Sequence, residues 1–96
     1  MHEVESAFLH SSEAAFRKRC LWLASRLRGD RALGLLLEAL ADSDPGVRQV
    51  AARSLGRLKD DSAVRQLTGL LDDSSPFVQA AAATACLLYT SDAADE

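Results

Sequence analysis

Ala32 to Asp61 reads ALGLLLEALADSDPGVRQVAARSLGRLKDD, and the two halves of this stretch decide the fold. Leu33, Leu36, Leu37 and Leu40 fall at i, i+3, i+4 and i+7, the spacing that collects side chains on one face of a helix. That helix is predicted to stop in Asp42-Ser43-Asp44-Pro45. The residue before a proline is steered away from helical angles, whereas proline itself suits a first helical turn, and Asp44 is placed to cap the helix that follows. A second helix is predicted from about Pro45 to Leu58, with Val47, Ala51, Leu55 and Leu58 on one side, ending before Asp60-Asp61. Each helix carries one apolar stripe, so each needs a partner surface.

The stretch is also repeated. Leu40, Asp42, Pro45, Val47, Ala51 and Ala52 recur 31 positions later as Leu71, Asp73, Pro76, Val78, Ala82 and Ala83. In the other direction Leu9, Phe16, Arg17, Cys20 and Leu27 align with Leu40, Val47, Arg48, Ala51 and Leu58, a weaker copy that lacks the proline. The chain divides into units of about 1–29, 30–60 and 61–85. Helix pairs of this length cannot bury their stripes alone, so they stack. The predicted fold is all-α, an α-solenoid of two-helix repeats with a period of about 31 residues and five to six helices.

Ala32 to Asp61 resembles one HEAT repeat of the short type also found in phycobilin lyases. In such repeats an A helix ends at a D-x-x-P-x-V-R turn and a B helix follows as A-A-x-x-L-G. The similarity extends through Ser62 to Ala85 and is poor over Met1 to Arg31. The resemblance implies that the acid and the arginine of the turn interact between neighbouring repeats. Asp42, Pro45, Arg48, Asp73 and Pro76 are then structural turn and ladder positions, with Arg17 joining them, and the ladder is expected to fail at Gln79. The resemblance also implies that the B helices line the concave side.

The last eleven residues, CLLYTSDAADE from Cys86 to Glu96, depart from the repeat. They resemble the conceptual translation of a transposon-based sequencing-library adapter. The expectation is that 1–85 is a HEAT-like domain fragment, that 86–96 is a non-native tail, and that the natural protein continues past Ala85. A third unit without a following cap is predicted to expose Leu67, Leu71, Val78 and Ala82 and to self-associate. The first unit, with Arg17-Lys18-Arg19, Glu3 and Glu5, is read as the N-terminal cap.

Composition excludes several function classes. The net charge of −3 belongs to the tail, because three of the 14 acids are Asp92, Asp95 and Glu96 and the other eleven balance eleven Lys and Arg. The acidic balance is therefore no guide to partners. No stretch approaches the roughly 20 apolar residues of a membrane span, and Met1 to His10 carries acids where a signal peptide has its positive region, so no membrane association and a cytoplasmic location are expected. Cys20 and Cys86 lack CxxC spacing and read as reduced, small core residues.

The search for chemistry returns little. His2-Glu3 resembles one of the His-Glu pairs with which the HEAT-like deoxyhypusine hydroxylases hold iron, but there is a single pair and His10 has no adjacent acid. No serine lies in G-x-S-x-G, and neither a P-loop nor GxGxxG occurs. We expect no catalytic residue, no cofactor and no metal. What remains is a surface: Lys18, Trp22 and Arg26 fall one turn apart on the first B helix and align with Gln49, Arg53 and Arg57 on the second and with Ala80 and Thr84 on the third. Lys18, Trp22, Arg26, Arg53 and Arg57 are the candidate partner-binding residues, a basic patch around one aromatic, and Trp and Arg are the residues most enriched at binding hot spots. An unknown protein or peptide, plausibly acidic, is the expected partner. Nucleic acid is disfavoured because Glu13, Asp30, Asp42, Asp44, Asp60 and Asp61 interrupt the basic surface. The expected function is a non-catalytic interaction or assembly scaffold. The alternative is a regulatory or lyase-like subunit whose catalytic portion lies beyond the truncation.

Overall fold

The computed structural model describes residues 13–27 and 29–94. The readings that rest on His2, Glu3, Glu5, His10, Asp95 and Glu96 lie outside the described residues. The fold is all-α, with five helices among the described residues: α1 (Ala14–Leu27), α2 (Asp30–Ala39), α3 (Pro45–Leu58), α4 (Val64–Gly69) and α5 (Pro76–Ala94). One-turn 3-10 segments, Asp61–Ala63 and Leu70–Asp72, flank the short α4. Helices α1, α3 and α5 pack side by side as one layer, and α2 and α4 form the other by packing on α3 and α5. The resulting slab measures 42 × 29 × 17 Å.

Local sequence explains the helix boundaries. Gly29, at φ +99°, turns the chain between α1 and α2 in a conformation that a side chain disfavours. Asp44 adopts extended angles and its carboxylate accepts from the Val47 N–H at 3.1 Å, so Pro45 opens α3 where its missing N–H costs nothing. Pro76 likewise stands at the first position of α5. At the far end of α3, Lys59 takes the left-handed cap conformation and returns its N–H to the Leu55 carbonyl. Asp60 caps the next segment, accepting from the Ser62 N–H at 2.9 Å.

Leu21, Leu36, Leu55, Leu67, Val47 and Val78 are fully buried and form the spine of the core between the layers. The close spacing of α3 and α5 rests on small residues: a Cβ on Gly56 would lie 2.7 Å from the Ala85 Cβ and 2.8 Å from its Cα.

The third unit differs from the sequence expectation. Leu67, Val78 and Ala82 are buried, and of the four residues predicted to be exposed only Leu71 is. The reason is that α4 folds onto its own unit's B helix, α5, while α5 packs on α3, so the stripe is covered from within the chain. Phe77 and Leu87 are the open apolar positions of α5. Residues 86–94 also continue α5 without a break at the boundary read between 85 and 86, since nothing in Cys86-Leu87-Leu88-Tyr89 interrupts a helix. Cys86 and Tyr89 pack against the core, and the Tyr89 hydroxyl donates to the Asp60 carbonyl at 2.6 Å.

The turns are tied together across units. Arg17 on α1 donates to both carboxylate oxygens of Asp42, at 2.9 Å each, and Arg48 on α3 repeats the arrangement with Asp73 at 2.9 and 3.0 Å. Each acid also accepts a backbone N–H within its own turn, from Asp44 at 2.9 Å and from Ser75 at 2.8 Å. Burial alone would raise the Asp42 carboxyl pKa, but the Arg17 hydrogen bond, the Asp44 N–H and the charges of Arg17 and Arg48 outweigh it and hold the group below its ordinary value. Asp73 is held low chiefly by the hydrogen bond from Arg48. Gln79 uses its amide to hold the Asp73 carbonyl at 2.7 Å, the equivalent of the Arg48 bond to the Asp42 carbonyl, but brings no charge.

Candidate functional site

The one-layer packing of α1, α3 and α5 places equivalent positions of the repeat in rows. Trp22, Arg53 and Thr84 form one row; Arg26, Arg57 and Leu88 form the next. A groove of about 380 Å³ runs across them, lined by Trp22, Val50, Arg53, Ser54, Arg57, Ala81, Thr84, Ala85 and Leu88. Its floor is apolar, from Val50, Ala81, Ala85 and Leu88, and its rim is basic. No acid lines it. A second depression of about 310 Å³ adjoins it, between α1 and α3, and shares Trp22, Ser54 and Arg57 with the first.

Trp22 is half exposed, which is unusual for so large an apolar side chain, and it walls both depressions. The Arg26 guanidinium carbon lies 5.1 Å from the centre of its ring, a cation–π distance that restrains the indole and brings positive charge to the rim. Arg53 and Arg57 are exposed and have no ion-pair partner among the described residues. Lys18 does not line the groove: it is half-buried, its side chain lies against Gly46 at the turn of the next unit, and it meets Trp22 from the other side, in a depression shared with Arg19, Leu23 and Val50. Of the sequence-predicted residues, Trp22, Arg53 and Arg57 line the groove, Arg26 lines the adjoining depression with Trp22 and Arg57, and Lys18 reaches only the far side of Trp22.

Ser54 went unnoticed in the sequence. It is 1% exposed, the one buried polar residue of the described core, and its hydroxyl has no hydrogen-bond partner. The signal was present, because Ser54 stands on the apolar stripe of α3 next to Leu55, where a hydrophobic residue was due.

Other chemistry is sparse. No group of three His, Cys, Asp or Glu residues suited to a metal occurs among the described residues. Burial raises the Cys20 thiol pKa, which lowers its thiolate fraction. None of the described helices is long and apolar enough to cross a membrane.

Paired helices in two layers, repeated with interlocked turns, define an α-solenoid. The family model for HEAT repeats matches residues 3–86, and the chain belongs to that family. HEAT repeats are commonly protein-interaction scaffolds and are typically non-enzymatic. No curated protein matches the chain.

Proposed function

We propose that this chain is an interaction module of a scaffold protein and that it binds an acidic peptide segment carrying an apolar anchor along the α1–α3–α5 face. The observation that carries the reading is the groove itself: three helices contribute an apolar floor, a half-exposed tryptophan and two arginines, with no ion-pair partner for either arginine and no acid in the lining among the described residues. Such a surface supports binding in two ways. The floor and Trp22 offer area to an apolar side chain, and the guanidinium groups favour and orient negative charge. The balanced charge of residues 1–85 disfavours a phosphate backbone, which needs many cations over a long surface.

Trp22 is the sole tryptophan, so its emission reports occupancy of the groove directly. Titration with a peptide of repeated Glu-Glu-Leu triplets is expected to change that emission saturably, whereas a Lys-Lys-Leu peptide leaves it unchanged. The Arg53→Glu, Arg57→Glu double variant is expected to weaken binding by about tenfold at moderate salt. Equal binding of both peptides, or an unaffected double variant, would remove the groove from the function.

We also propose that residues 86–96 are adapter-derived. Sequencing the source gene across codon 85, with primers outside the adapter, is expected to show the reading frame continuing into further D-x-x-P-x-V-R units. A genomic frame that encodes CLLYTSDAADE and stops would overturn this origin.

A further inference from the structure

Ser54 lies on the partition between the two depressions, together with Trp22 and Arg57, the other residues common to both. Its hydroxyl is out of water and bonded to nothing. A buried hydroxyl in this state is unfavourable for the free protein, and helical serines ordinarily relieve it by donating to the carbonyl one turn back. Thr68 and Thr84 do so in this chain, with the Val64 and Ala80 carbonyls, at 2.8 and 2.9 Å. Ser54 does not.

We propose that Ser54 is the specificity-determining donor of the groove, and that its partner is the carboxylate of a glutamate or aspartate side chain in the bound peptide. The proposal rests on the peptide-binding reading above and assigns the chemistry of one subsite within it. A hydroxyl can donate to a carboxylate oxygen while leaving the second oxygen to a guanidinium, and Arg57 is one helical turn further along α3. The unpartnered Arg53 adds positive charge at the same rim. The neighbouring apolar floor leaves the hydroxyl as the only uncharged, buried donor in the groove, so a ligand lacking an acceptor at that point would leave the donor unsatisfied. Trp22 and Arg57, which line both depressions beside Ser54, are the side chains whose turning aside would admit the ligand. Both are exposed side chains, and rotamer changes of exposed side chains take picoseconds to nanoseconds. Leu88 is the only groove residue from the adapter-like segment, and the subsite is complete without it.

The test is the Ser54→Ala variant of the full chain, measured for melting temperature and for binding of the Glu-Glu-Leu peptide through Trp22 emission. The expected result is a paired one: the free variant melts a few degrees higher, because an unsatisfied donor is gone, and its dissociation constant for the peptide rises about tenfold, the scale of one hydrogen bond to a charged group. A serine with a merely structural role would give a lower melting temperature instead. Unchanged affinity in Ser54→Ala, with the arginine double variant still impaired, overturns the Ser54 assignment and leaves the groove reading intact. Failure of the wild-type chain to bind the peptide overturns both. A phosphoserine peptide that binds more tightly than the glutamate peptide, with the preference lost in Ser54→Ala, would reject the carboxylate in favour of a phosphate.

Discussion

Gly56→Leu is expected to lower the stability of the folded chain by about 3 kcal/mol, the upper end of the usual cost of overpacking. For a chain of this size that corresponds to a fall in melting temperature of roughly 12 to 24 °C. Two effects compete at this position. Glycine inside a helix is disfavoured relative to alanine by about 1 kcal/mol, so most substitutions there begin with a gain. At Gly56 the gain is overrun by contact, because the first atom added would sit 2.7 Å from the Ala85 Cβ and 2.8 Å from its Cα. The Cα belongs to the backbone of α5 and cannot turn away as a long side chain would. Helix α5 must retreat as a body, and it loses the packing that keeps Ala81, Ala82 and Ala85 buried. Gly34 and Gly69 are the internal controls, since a Cβ at either meets nothing within 4 Å. Alanine at those two positions is expected to raise stability by several tenths of a kcal/mol, while alanine at 56 lowers it. Denaturant titration of the three alanine variants and of Gly56→Leu checks this. Stabilisation by Gly56→Ala equal to that at Gly34 would show that α3 and α5 are not in close contact.

Arg48→Ala is expected to cost about 2 kcal/mol. Isolated surface ion pairs contribute about 0 to 1 kcal/mol and broken buried pairs about 3 to 5, and this pair lies between those limits. The side chains of Arg48 and Asp73 are 14% and 8% exposed, and the guanidinium makes two bonds to the carboxylate. Arg48 also donates to the Asp42 and Ser43 carbonyls at 2.7 and 3.2 Å, so its loss unties its own turn as well as the link to the next unit. Arg48→Lys restores charge without the planar fork and is expected to recover less than half of the loss.

The effect has a pH signature. Asp73 has a folded-state pKa below its unfolded value, mainly through the Arg48 hydrogen bond. The group binds more protons in the unfolded state over the interval between the two values. Its contribution is therefore fully present above the ordinary carboxylate value of about 4 and is lost as pH falls through the lower folded one. Wild-type stability is expected to fall through this acid window more steeply than that of Arg48→Ala, so the gap between the two curves narrows at low pH to what the bonds to the Asp42 and Ser43 carbonyls contribute. Parallel curves, separated by the same free energy at every pH, would show that the ion pair is not what Arg48 contributes.

Much of this architecture is local in origin. Asp44 and Pro45 define the start of α3 through interactions spanning three residues, so the turn is readable wherever that string occurs. The 31-residue spacing reflects the length of one helix pair, and a repeat that contacts only its neighbours must reproduce its own turn and stripe. The all-α class follows from those two features, because the apolar spacing is helical throughout the decisive stretch.

Other properties depend on where a second helix lies. Leu67, Val78 and Ala82 carry the apolar pattern that the sequence reveals, but a pattern does not say which neighbour covers it; α4 and α3 supply the cover from the same chain. Lys18 shares a helix face with Trp22 and Arg26, yet its side chain lies toward Gly46 at the turn before α3, while Trp22 borders the groove and Arg26 the depression beside it. The unsatisfied state of Ser54 is a tertiary property as well, since whether a hydroxyl finds a partner depends on every atom packed around it. The sequence by itself determined the helices, their turns and their stacking, because these arise from contacts between residues near in the chain or one repeat apart. Only the tertiary structure decided which stripes are covered, which basic residues share a groove and which donor lacks an acceptor, because each depends on distances between helices set by the packing of small residues such as Gly56 and Ala85.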